Sequence, residues 1–219
     1  MFFLTKQSTL SKYKKYREVG KALNHKIIDR YVDRQTYLRS GKYLGVVSLV
    51  KRDTIVLDSE SESAALMDFG INEYQINGKK PVELYKETVL LENNIEGEIL
   101  DGLLKSYTSL FTIADINKKE NKLTLNDLLN KSIDPIQIID IGFSQTAIPG
   151  FLLFLRIVPL VEFNISGGIA FVFHNDLEEN LLKEYKQIAK RVKSSNESIK
   201  KYVAFFKLNR RYGIETEFK

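Results

Sequence analysis

The sequence predicts an α+β fold: a helical N-terminal half, an antiparallel five-stranded meander or small barrel, and a C-terminal helical hairpin. Three observations carry this. Apolar residues recur at spacings of three and four near both ends of the chain. Between residues 107 and 174, short β-rich runs alternate with turn residues. The connections between those runs are too short to hold crossover helices, so neighbouring strands are expected to pair antiparallel. The parts are residues 1–106, mainly helical with a short β-hairpin near 46–58; 107–174, the β module; and 175–219, the hairpin. No repeat or low-complexity linker separates them, so the three are expected to pack as one unit.

Residues 8–44 read as helix. Ser8 or Thr9 suits the N-cap, Tyr16, Val19, Leu23, Ile27 and Tyr31 form the apolar stripe, and Ser40-Gly41 is the expected break. Val46–Val50 and Thr54–Asp58 suggest a hairpin, although Lys51-Arg52-Asp53 lacks the glycine such turns favour. Further helices are expected after Ser59 and from Pro81, with Asn77-Gly78 as the turn between. The β module is read as Ser109–Ile116, Lys122–Leu129, Ile136–Phe143, Phe151–Val161 and Gly168–Phe173. At the C-terminus, Asp176 with Glu179 and Ser194 with Glu197 fit capping boxes. Gly213 is placed to end the last helix, and Ile214–Phe218 to add an edge strand.

The chain has 219 residues, a net charge of +5 and no cysteine. Disulfides, thiolate metal sites and cysteine nucleophiles are therefore excluded, and a reducing, cytoplasmic setting is expected. The longest apolar stretch, Ile148 to Val161, is interrupted by Arg156 and Pro159. It falls short of the roughly 20 residues a membrane helix needs, so no membrane association is expected. Charge is unevenly spread. Residues 1–52 carry 13 Lys/Arg against 3 Asp/Glu, residues 53–140 carry 8 against 17, and residues 141–219 carry 12 against 8. The basic segment either faces an acidic partner or folds onto the acidic segment of its own chain.

Common catalytic patterns are missing from the sequence. His25 and His174 have no neighbour at metal-ligand spacing. Gly78-Lys79 lacks the rest of a phosphate loop, and Gly142-Phe143-Ser144 lacks the second glycine of a nucleophile elbow. Asp115–Asn126 lacks the glycine and closing glutamate of a calcium loop. Asp68, Glu73, Glu96, Asp101 and Asp140 are acidic candidates, but no spacing singles out a pair. No catalytic residue, metal site or cofactor is assigned. Arg156 interrupts an otherwise apolar strand, so it guards an edge, pairs with a buried acid, or faces an anionic ligand. Lys12, Lys14, Lys15, Arg17 and Lys21, interleaved with Tyr13 and Tyr16, form a basic aromatic pattern suited to nucleic acid.

The segments Ser109-Leu110-Phe111, Leu125–Leu129, Leu152–Pro159 and Ser166-Gly167-Gly168 resemble a module of poorly characterised bacterial proteins. Some of those carry a cysteine-rich SEC-C metal motif, which this chain cannot have. The resemblance implies no activity. The favoured expectation is a non-enzymatic binding or adaptor protein. It would contact nucleic acid or an acidic protein through the basic helix, with Lys12, Lys14, Lys15, Arg17, Lys21 and Arg156 as binding residues. The alternatives are a structural protein, possible as a homo-oligomer, with that helix packed on its own acidic segment, and a metal-dependent carboxylate enzyme.

Overall fold

A computed structural model describes residues 8–51, 53–131 and 134–214. The N-terminal helices are α1 (Thr9–Tyr31), α2 (Arg34–Leu44), α3 (Glu60–Asn72), α4 (Pro81–Thr88) and α5 (Asn94–Lys105). Strands β1 (Tyr107–Asn117), β2 (Lys122–Asp127) and β3 (Ile136–Ile139) follow, then α6 (Ile141–Thr146), β4 (Leu152–Pro159) and β5 (Asn164–Phe173). A 3-10 turn at Asn175–Leu177 leads to α7 (Glu178–Arg191) and α8 (Glu197–Tyr212). No helix among the described residues is long and apolar enough to cross a membrane.

The five strands close into a small barrel in the order β1-β2-β3-β5-β4. Four of the pairings are antiparallel, and the β3–β5 pair is parallel. Because β4 pairs with β1 and β5, β3 and β5 would otherwise be the two sheet edges; pairing them covers their free backbone groups. β4 shows why its sequence is apolar throughout. Leu153, Leu155 and Ile157 join the barrel's interior cluster with Phe111, Leu123 and Ile138. The alternate residues Leu152 and Phe154 face helices instead, and Phe154 stacks on Phe205 of α8 at 4.3 Å. Val158 belongs to a third cluster with Leu23 and Ile27 of α1 and Ile99 and Leu100 of α5.

Several expected boundaries move, each for a local reason. The long basic helix breaks at Asp33, not at Ser40-Gly41, because the Asp33 carboxylate accepts the Thr36 amide at 2.7 Å and caps a new helix. Gly41 instead lies inside α2, where a Cβ would come within 3.2 Å of Val46, Val47 and Ile55. The hairpin near 46–58 is reduced to a single bridge, Val47 with Ile55. Ile136–Phe143 is strand only to Ile139, since Asp140 accepts the Phe143 amide and starts α6. Neither C-terminal capping box forms as expected. Asp176 lies in the 3-10 turn, and Asn196, not Ser194, caps α8. Ile214 bridges Val172, and the rest of the expected edge strand lies outside the described residues.

Candidate anion-binding grooves

Arg156 projects from the outer face of β4 with 2% of its surface exposed. Its Nε and Nη2 donate to the two oxygens of Asp68 at 3.1 and 3.0 Å. Nη2 also donates to Glu73 at 2.7 Å, and Nη1 to the Ser106 hydroxyl at 3.2 Å. Asp68 lies in α3 and Glu73 is its C-terminal cap, so one helix end delivers both acids to the barrel wall. Burial opposes the charge on the guanidinium, but the two carboxylates outweigh it and raise its pKa further.

Opposite Arg156, β5 bulges. The register passes from Leu155 with Ala170 to Ile157 with Ser166, leaving Gly167, Gly168 and Ile169 to face a single residue. The glycines make room for two arginines. A Cβ on Gly167 would come within 2.9 Å of the Arg156 Cβ. Gly168 has φ +95°, and a Cβ there would lie 3.1 Å from Arg17 Nη2. Arg17 Nη1 donates to the Ser166 carbonyl at 3.0 Å, while the Ser166 hydroxyl donates to Asp140. Arg17 and Arg156, 139 positions apart by residue number, thus meet at Ser166-Gly167-Gly168.

Above the bulge, α1 and α3 bound a groove of about 670 Å³. Arg17, Lys21 and His25 follow one another at i, i+4 and i+8 along one side of it. The remaining basic candidates do not converge there. Lys12 pairs with Glu162 and Lys15 with Glu18, while Lys14 is exposed on α1. Elsewhere α1 meets the acidic segment. Lys26 pairs with Glu92 at 2.6 Å and Glu96 at 3.2 Å, and the Tyr16 hydroxyl donates to Glu98. Burial and then the Glu98 contact push the Tyr16 hydroxyl up to about 12.

A second groove, of about 880 Å³, lies where α2 meets the α7–α8 corner. Arg39 and Lys42 come from α2, Arg191 from the end of α7, Lys193 from the connecting turn and Lys207 from α8. These five cations line it together with Tyr43, Ser194 and Ser195, and no carboxylate is among the lining residues. None of the five forms an ion pair with a described residue.

Residues 7–219 match a family of unknown function, DUF7986. The chain belongs to that family. No curated protein and no solved structure matches it.

In this DUF7986 chain the acidic candidates are tied to local partners. Asp68 and Glu73 converge on Arg156, Glu96 accepts the Glu92 amide and Lys26, and Asp101 pairs with Lys86. Asp140 caps α6 and accepts from Ser166. Among the described residues, no group of three or more His, Asp or Glu is arranged to hold a metal ion. His25 is exposed at the first groove, and His174 packs edge-on to Phe151 at 5.5 Å. The second groove escaped the sequence reading because its cations come from separate segments. One local signal was present: Arg191-Val192-Lys193 runs into Ser194-Ser195-Asn196 with no acid before Glu197.

Proposed function

We propose that this protein is a non-enzymatic, cytoplasmic nucleic-acid-binding protein whose contact surface is the groove at the α2, α7 and α8 corner. One observation carries the reading: Arg39, Lys42, Arg191, Lys193 and Lys207 surround one depression that no carboxylate lines. A phosphodiester backbone supplies anions along such a surface and releases counterions on binding, so unneutralised cations favour it. The likeness of the barrel segments to a module of SEC-C-containing bacterial proteins fits a bacterial source for the chain. Lys26 with Glu92 and Glu96 supports the structural alternative for α1, with that helix packed on its own acidic segment. It leaves the corner groove untouched.

The test is anisotropy of a labelled single-stranded oligonucleotide, titrated with the full chain at increasing salt. Five phosphate contacts predict a log–log slope of about −3.5. Charge reversal at Arg39, Lys42 and Arg191 should abolish binding, whereas reversal at Lys12, Lys14 and Lys15 should weaken it far less. No binding at low salt defeats the proposal. Binding of polyglutamate but not of oligonucleotide would replace nucleic acid with an acidic protein partner.

A further inference from the structure

We infer that the groove between α1, α3 and the β5 bulge binds a single-chain amphiphile with an anionic head, independently of the corner groove. Its lining divides into two kinds. Met67 and Ile169 supply partly exposed apolar surface over the buried Ile71, Leu103, Val158 and Ile165, while Arg17, Lys21, Asn24 and His25 supply a polar lip along one helix. An apolar body with a few convergent polar groups at one side is the composition of a small-ligand site, and about 670 Å³ lies within the usual range for one.

Arg17 is already oriented for a head group. The Ser166 carbonyl takes one of its N–H donors, and the missing side chain of Gly168 lets the guanidinium lie against the bulge. A guanidinium has five such donors, so others remain for a carboxylate or phosphate. Lys21 is exposed one turn further along and His25 one turn beyond that. Two carboxylates, Glu18 and Asp68, also line the groove, and each has a partner of its own. Asp68 is held bidentately by Arg156, and Glu18 pairs with Lys15 at 3.2 Å. The head would sit at Arg17 and Lys21, and the chain would run over Met67 and Ile169. A neutral alcohol of the same length would gain the walls but not the lip.

The experiment is displacement of dansyl-undecanoate from the full chain, below micellar concentrations, by dodecanoate, dodecyl phosphate and dodecanol. Both anions should displace the probe, and dodecanol should do so at least tenfold less well. Lys21→Glu, at an exposed position, should weaken dodecanoate about tenfold or more without lowering the melting temperature. Ala64→Trp, which fills the groove wall, should weaken it independently. Equal competition by dodecanol, no probe binding, or unchanged affinity in Lys21→Glu would overturn the inference. So would displacement of the probe by an oligonucleotide, which would make this groove part of the polyanion surface. Charge reversal at the corner groove should leave dodecanoate binding unchanged, so failure of either site is read separately.

Discussion

Replacing Arg156 with Met should destabilise the protein severely, and the structure sets the scale. The guanidinium is 2% exposed and is shared by Asp68, Glu73 and Ser106. Removing it strands two carboxylates whose side chains are only 10% and 0% exposed, and the second oxygen of Glu73 already has no hydrogen-bond partner. Breaking a buried ion pair from one side costs about 3–5 kcal/mol, a large part of the roughly 5–15 kcal/mol that holds a typical domain folded. At about 2–4 °C per kcal/mol for a chain of this size, the melting temperature should fall by about 6–20 °C. Urea unfolding followed by circular dichroism at pH 7 measures the loss of stability, and a thermal scan measures the fall in melting temperature. The triple variant Arg156→Met, Asp68→Leu, Glu73→Met should recover most of the loss, because neither carboxylate is left facing a missing guanidinium, and Lys201 keeps Asp127 as a counter-charge. A single variant within about 1 kcal/mol of the parent, or a triple variant no better than the single, would refute the reasoning.

Two further outcomes follow from neighbouring geometry. Glu62 is pushed up by burial, but Arg210 at 2.6 and 2.7 Å and the Asp58 amide hold its carboxyl below its ordinary value of 4.5. Its contribution is therefore present at neutral pH and is lost as pH falls through its folded-state value. Glu62→Gln should cost about 1.5 kcal/mol at pH 7, and chemical denaturation should show that gap narrowing below pH 4.5. Gly167→Ala places a Cβ within 2.9 Å of the Arg156 stem. It should cost about 1–3 kcal/mol by thermal melting, and a neutral result would mean the bulge yields freely.

The barrel strands were legible because their composition is imposed locally. Phe151–Val161 must be apolar on both faces when one side fills a barrel and the other carries helices, and that density is visible without knowing either neighbour. The parallel β3–β5 closure was not legible, since it depends on two short registers, Ile138 with Asn164 and Ile139 with Ile165. Helix boundaries failed where a side-chain oxygen decides between continuing and restarting. Asp33 within a long apolar periodicity looks like a solvated face until its carboxylate is seen on the Thr36 amide. Arg156 was conspicuous by its setting, but its partner Asp68 lies 88 residues earlier, beyond any spacing rule. The role of Ser166-Gly167-Gly168 was hidden for the same reason. It reads as loop punctuation, yet it is a strand bulge shaped around two arginines.

The uneven charge of the chain has a spatial solution that segment totals do not suggest. The acidic segment draws its buried counter-charge largely from the C-terminal third: Arg156 serves Asp68 and Glu73, and Arg210 serves Glu62. Of the basic N-terminal cations, Lys26 crosses to that segment at Glu92 and Glu96, while Lys12 and Lys15 pair with Glu162 and Glu18. Lys14 and Lys21 keep part of the surplus exposed on α1, and another part emerges where Arg39 and Lys42 of α2 meet Arg191, Lys193 and Lys207. Cations that hold the fold are buried or half-buried with acids, whereas those around the corner groove form no close ion pair with a described residue and no carboxylate lines the groove. Charge reversal at the groove should thus alter the external field without stranding a buried carboxylate, which makes binding separable from folding in this protein.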